Sequence, residues 1–188
     1  GQRMNNKAMS EKIIDAAKLV FHKNGFPATE IADIVDEAKI SKSEFEECFS
    51  STEDVCLKVL KSYAKESKRT FRAYDENENT RQRLSMLLDA YYEDAENLSQ
   101  NGCPIFNLYY DVREMDNELS ETVTEILEMQ HEWIDEQFII MLKTESAVDQ
   151  GDRLMAAISG LLMLVKLTGN EQMFKNQIIQ LRSWIRSM

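Results

Sequence analysis

Only 6 glycines and 2 prolines are spread over 188 residues, and this scarcity limits the possible folds more than any single motif does. Turns and strand connections draw on those two residue types, so a chain this poor in them folds as long helices with short connections. Apolar residues recur at helical spacing along most of the chain, and no stretch shows strand alternation, an internal repeat or a low-complexity tail. The expected fold class is all-α.

Local signals divide the pattern into elements. Ile13, Ala17, Val20 and Phe21 line one face of a helix over residues 10–24, which Gly25 caps and Pro27 blocks. Thr29 has the character of an N-cap for a second helix carrying Ile31, Ile34, Val35 and Ala38. After Lys39 and Ile40, Ser41 and Glu44 have the spacing of a capping box, opening a short third helix with Phe45, Cys48 and Phe49 inward. The cluster Ser50-Ser51-Thr52-Glu53-Asp54 opens a fourth, expected over 53–72, with Ser51 and Asp54 in a similar capping relation. Further helices are expected over 80–98, from Pro104 onward, over 119–142, from Asp149 or Asp152 to Thr168, and over 171–186.

The segment from Ile13 to Val55 resembles the DNA-binding region of TetR-family (TetR/AcrR) regulators. The features that carry the resemblance are Phe21-x-x-x-Gly25-Phe26, the Thr29 cap, Asp33-Ile34-Val35, Ala38 before the turn, Ser41-Lys42 at the start of the third helix, and Phe49 followed by a polar cap and Glu53. Gly102-Cys103-x-x-x-Asn107-Leu108 resembles a stretch at the start of the family's sixth helix, and the length suits the family's usual nine helices. The resemblance implies a three-helix helix-turn-helix head, residues 1–52, and a larger helical ligand-binding and dimerisation domain, residues 53–188, about nine helices in all. It also implies a ligand-responsive homodimeric transcriptional repressor that releases double-stranded operator DNA when a small apolar or amphipathic molecule binds. In such a dimer each third helix enters a major groove, with half-sites about one DNA turn apart.

Carried onto this sequence, the DNA-facing positions are Thr29, Lys39, Ser41, Lys42, Ser43, Glu46, Glu47 and Thr52. Several depart from the family pattern. Glu30 replaces a second threonine or serine, Glu46 a phosphate-contacting tyrosine, Thr52 a lysine, and Lys39 the turn glycine. A left-handed backbone at Lys39 costs roughly 1 kcal/mol. Glu44 is assigned to the capping box, and Glu47 to solvent or to a cytosine amino group. Residues 1–55 hold 7 Lys and Arg against 11 Asp and Glu, within a chain of net charge -11. Because displaced counterions supply much of the affinity for DNA, an acidic head is a poor polyanion binder. The alternative is a degenerate family member whose acidic head binds another protein instead of DNA.

In the larger domain Leu84, Leu87, Tyr91, Phe106, Tyr110, Trp133, Phe138 and Met141 are candidates to line an adaptable apolar cavity, plain core packing being the alternative for each. Met155, Ile158, Leu162, Ile178, Leu181, Trp184 and Ile185 give the last two helices more apolar surface than two exposed helices tolerate. A four-helix interface with a second copy is expected there, burial within one subunit being the alternative.

The sequence has no nucleophile elbow, phosphate loop or metal-ligand spacing, so neither enzyme activity, cofactor nor metal is expected. Cys48, Cys56 and Cys103 cannot all pair within one chain and are expected to be reduced thiols. The most apolar stretch, Ala156 to Leu167, is too short to span a bilayer and carries Lys166; with no basic-then-apolar leader, a cytoplasmic protein without membrane contact is expected.

Overall fold

The computed structural model describes residues 2–188, with side chains from Asn6 onward, and every regular element among them is helical. In chain order these are α1 (Gln2–Asn24), α2 (Ile31–Ala38), α3 (Lys42–Cys48), α4 (Thr52–Asp75), α5 (Thr80–Glu93), α6 (Ala95–Asn101), α7 (Pro104–Val112), α8 (Glu118–Leu142), α9 (Val148–Thr168) and α10 (Glu171–Arg186), with one 3-10 turn at Glu145–Ala147. The two largest differences from the sequence expectation have local reasons. No glycine or proline stands between Gln2 and Ser10, so α1 runs on toward the N-terminus past the expected start at residue 10. The helix expected over 80–98 divides at Asp94, whose backbone (φ -91°, ψ 7°) leaves helical geometry and places Leu98 in α6. Aspartate competes with helix hydrogen bonding through its own side chain, which makes it a natural break point.

The chain groups into two compact units. The first comprises residues 1–65 and 104–125, the second residues 66–103 and 126–188. This grouping does not follow the 52/53 division expected from sequence, because α4 and α8 each extend through both units.

In the first unit α1 packs against α2, α3 and α7. Ile13, Ala17, Phe21, Ile34, Phe45, Val55, Val59, Leu60, Leu108 and Val112 form its buried core. Phe21 meets Phe26 edge-on at 5.6 Å between ring centroids. Gly25 takes the left-handed conformation (φ +82°) that ends α1, and the next amide, Phe26 N–H, donates to Asp111 Oδ2 at 3.0 Å. The α1–α2 connection is thereby fixed to α7.

In the second unit α10 packs on α5, α6 and α9, and α6 packs on α9. Leu84, Leu88, Ile134, Phe138, Leu154, Ile158, Phe174, Ile178 and Ile185 are essentially inaccessible. The polar groups here are paired. Arg83 donates to the carbonyls of Asn77 (2.6 Å) and Asp75 (3.1 Å) and to Gln137 Oε1 (3.1 Å), and Gln137 Nε2 donates to the Trp133 carbonyl. Trp133 stacks on Phe71 at 4.8 Å while its Nε1–H donates to Asp75 Oδ1 at 2.9 Å. One arginine and one indole thus take up polar groups at the end of α4 and hold them against α8.

Candidate nucleic-acid interface

The helix-turn-helix face is built from the starts of α2, α3 and α4. Thr29, Glu30, Ile31, Ala32, Val35, Lys42, Ser50, Ser51 and Thr52 line a shared groove there. The expectation that Thr29 caps α2 needs correction. Its hydroxyl donates back to the Gly25 carbonyl at 2.7 Å and the residue is buried, so it closes the preceding turn. The cap position falls to Glu30, whose amide donates to Asp33 Oδ2 at 2.8 Å. The start of α2 therefore presents two carboxylates where a phosphate-binding helix presents free amides.

The turn between α2 and α3 has the strain expected from the sequence. Lys39 is left-handed (φ 57°, ψ 47°), and its amide and that of Ile40 close on α2 carbonyls. Ser41 then caps α3 with both halves of a capping box: Glu44 N–H donates to Ser41 Oγ and Ser41 N–H to Glu44 Oε1, each at 3.0 Å. Glu44 is accordingly occupied in holding the helix start. Across the groove Asp54 N–H donates to Ser51 Oγ at 3.1 Å, and Asp54 Oδ2 accepts from Ser50 N–H at 3.0 Å. The Ser51–Asp54 relation is the one expected from the sequence, whereas Asp33 did not stand out as a partner of Glu30, although it lies three residues beyond it.

Lys39, Ser41, Lys42, Ser43, Glu46 and Glu47 are all exposed on α3 or the turn before it, so six of the eight expected contact residues share one accessible surface. Thr52 is half-buried at the start of α4, and Thr29 is inside. The side chain of Lys42 is 72% exposed, yet its Nζ lies 3.8 Å from Glu46 Oε1, one turn on. A solvated pair of this kind is worth little to stability, but it sets a carboxylate beside the cation that would meet a phosphate.

The structure distributes the other expected site residues unevenly. Phe106 and Tyr110 (48% exposed) belong to the first unit; Leu84, Leu87, Tyr91, Trp133, Phe138 and Met141 belong to the second. Leu84 and Phe138 are fully buried. Tyr91 OH lies 2.9 Å from Gln130 Nε2, and burial raises the Tyr91 phenol above its ordinary pKa. Of the residues expected to face a second copy, Met155, Ile158, Leu162, Ile178 and Ile185 are buried within the chain itself. Helical periodicity found the apolar helices but assigned the wrong face outward. The exposed stripe of α9 is Ala156, Gly160, Met163, Leu164 and Leu167, with Ile179 exposed on α10. Leu181 and Trp184 are half-buried, Trp184 lying 5.8 Å from Phe138 between ring centroids.

Residues 13–59 match the model of the bacterial regulatory proteins of the tetR family. The chain is 26% identical over 169 residues to an HTH-type transcriptional regulator in the lacX 3' region of Lactococcus lactis subsp. lactis, covering 87% of this chain and 86% of that one. It is 27% identical over 141 residues to the HTH-type transcriptional regulator YfiR of Bacillus subtilis, covering 75% and 66%. In fold it is similar to a TetR-family regulator from Agrobacterium tumefaciens (TM-score 0.85, 14% identity, 95% and 97% of the two chains) and a TetR regulator from Legionella pneumophila (TM-score 0.81, 18% identity, 94% and 95%). Residues 13–59 thus resemble the helix-turn-helix segment of the tetR family, and over most of its length the chain is similar to transcriptional regulators of that kind. No helix among the described residues is long and apolar enough to cross a membrane.

Proposed function

We propose that this protein is a homodimeric, ligand-responsive repressor that reads operator DNA through Ser41, Lys42 and Ser43 at the start of α3, residues 1–52 acting as the reading head and 53–188 as the sensing and pairing domain. The observation that carries the reading is the capped start of α3. Ser41 and Glu44 fix the first turn, so Ser41, Lys42 and Ser43 stand exposed together on an element too short to hold its own shape. A recognition helix contacts base edges from its N-terminal residues, which is where this one is anchored.

Pairing is assigned to Met163, Leu164, Leu167 and Ile179. Ala156 and Gly160 lie on the same stripe, and space is open around Gly160, so a second helix can approach closely. The inducer is an apolar or amphipathic molecule sensed within the second unit, where Tyr91 of α5 and Gln130 of α8 supply a polar pair beside Met155. Sedimentation of the purified protein, followed by operator release on adding fractionated cell extract, tests the dimer and the inducer separately. A monomer removes the pairing assignment, and DNA binding indifferent to every fraction removes the sensing role.

The acidity of the head favours a second reading, in which it binds a basic protein surface. Glu30, Glu46 and Glu47 are exposed on or beside the recognition elements, and Lys42 is shared with Glu46. Loss of DNA binding alongside capture of a basic partner, reversed by Glu46→Gln and Glu47→Gln together, would favour this reading over the first.

A further inference from the structure

Three donor groups of the second unit converge at the contact between α8 and α9. His131 and Asp135 stand one turn apart on α8, and Asp152 lies in the second turn of α9. His131 Nε2 is 2.6 Å from Asp152 Oδ1 and 3.5 Å from Asp135 Oδ2. One donor atom from each residue falls within 4.8 Å of the others. The helices are drawn together by Gly151, where a Cβ would come within 2.2 Å of Asp135 Oδ1 and 2.8 Å of the Asp135 Cα. Only a residue with no side chain lets α9 settle over that carboxylate.

The arrangement is short of positive charge. Two carboxylates share one imidazole, and Asp135 Oδ1 is buried with no hydrogen-bond partner. A buried charged oxygen without a partner is costly, and a cation held at the neighbouring Oδ2 offsets part of the charge on the same carboxylate. Burial, followed by the hydrogen bond with Asp152, pushes the Asp135 carboxyl up to about 6, while the hydrogen bond to His131 holds Asp152 below the usual carboxylate range.

We infer that His131, Asp135 and Asp152 form a binding site for a divalent first-row cation, with zinc the best fit. Imidazole and carboxylate together suit such ions, and three protein ligands leave a position for water. Bonds of about 2.0–2.2 Å at tetrahedral angles place ligand atoms roughly 3.3–3.5 Å apart. The His131–Asp135 separation of 3.5 Å matches this already. Asp152, whose side chain is 51% exposed, has room to turn outward and open the shorter separation. The bound cation would clamp the middle of α8 to the first turns of α9.

The test uses the full-length protein stripped of metal with EDTA, titrated with zinc chloride by calorimetry and melted with and without zinc. The expected result is one zinc per chain and a melting temperature that rises with zinc concentration. His131→Ala and Asp152→Asn alter accessible side chains, and circular dichroism checks that each variant folds. Each should weaken zinc binding at least about tenfold, the least that even groups merely orienting a ligand contribute. X-ray absorption of the zinc-loaded protein should show nitrogen and oxygen neighbours. Absence of a stoichiometric site, equal binding by both variants, or a sulfur-dominated shell pointing to the cysteines would each overturn the inference.

Discussion

Lys42 is the only cation between Ser41 and Ser50, and it lies within ion-pair distance of Glu46. Replacing Lys42 with alanine should weaken specific DNA binding by about 1–3 kcal/mol, the range of one good base-reading contact; unchanged affinity in a titration with operator DNA would take Lys42 out of the interface. Glu46→Tyr acts in the opposite direction, removing a repelling carboxylate and freeing Lys42. Binding should tighten on all sequences, with a gain that shrinks as salt is added. Much of this face was legible from sequence. The Ser41–Glu44 box and the left-handed Lys39 follow from short-range spacing, and the structure has both. Thr29 was misassigned because one hydroxyl has two short-range partners to choose from, and only the position of the Gly25 carbonyl decides between them. The thiols differ in a way spacing does not reveal. Cys56 is buried and its thiol is pushed up to about 12 by burial and then by Asp111 and Glu53. It should resist a disulfide reagent at pH 8 until the protein unfolds, whereas rapid reaction of all three thiols in the native protein would contradict this placement.

At the scale of elements, Gly151 is where α9 lies against the backbone and carboxylate of Asp135 on α8. Gly151→Ala brings a methyl group against backbone that cannot step aside, and it should destabilise the protein by about 1–3 kcal/mol despite alanine's better helix propensity. A melting temperature equal to or above the parent's would show that the contact is looser than drawn. Nothing in the spacing of residues warns of this contact. Gly151 lies within an otherwise regular helical pattern, and its constraint comes from Asp135, sixteen residues away on another helix. The same limit hid the His131 cluster, in which no metal-ligand spacing was read from the sequence: Asp152 joins His131 and Asp135 only through packing.

For the whole molecule, the fold class followed from composition and periodicity, because few glycines and prolines leave long helices as the available architecture. Which face of a helix turns inward did not follow. Ile158 and Met163, both large and apolar on α9, differ only in where α6 and α10 happen to lie; the first is 1% exposed and the second 57%. The stripe of Met163 and Leu167, the latter 77% exposed, is the surface a homodimer would cover. Met163→Glu combined with Leu167→Glu should give a folded monomer by sedimentation, since two carboxylates per chain would face their copies across the symmetry axis. A variant that stays dimeric would move the interface elsewhere. Loss of the dimer should also weaken operator binding, because the two heads would no longer be held one DNA turn apart.

An acidic helix-turn-helix head that still reads DNA places its specificity in a few residues of α3, with little help from phosphate neutralisation. Selection of genomic DNA fragments by the purified protein at two salt concentrations addresses this most directly. A short, two-fold symmetric sequence should be enriched at both salts, with a salt dependence shallower than that of a repressor making many phosphate contacts. Failure to enrich any sequence at low salt, with the protein folded, would contradict it.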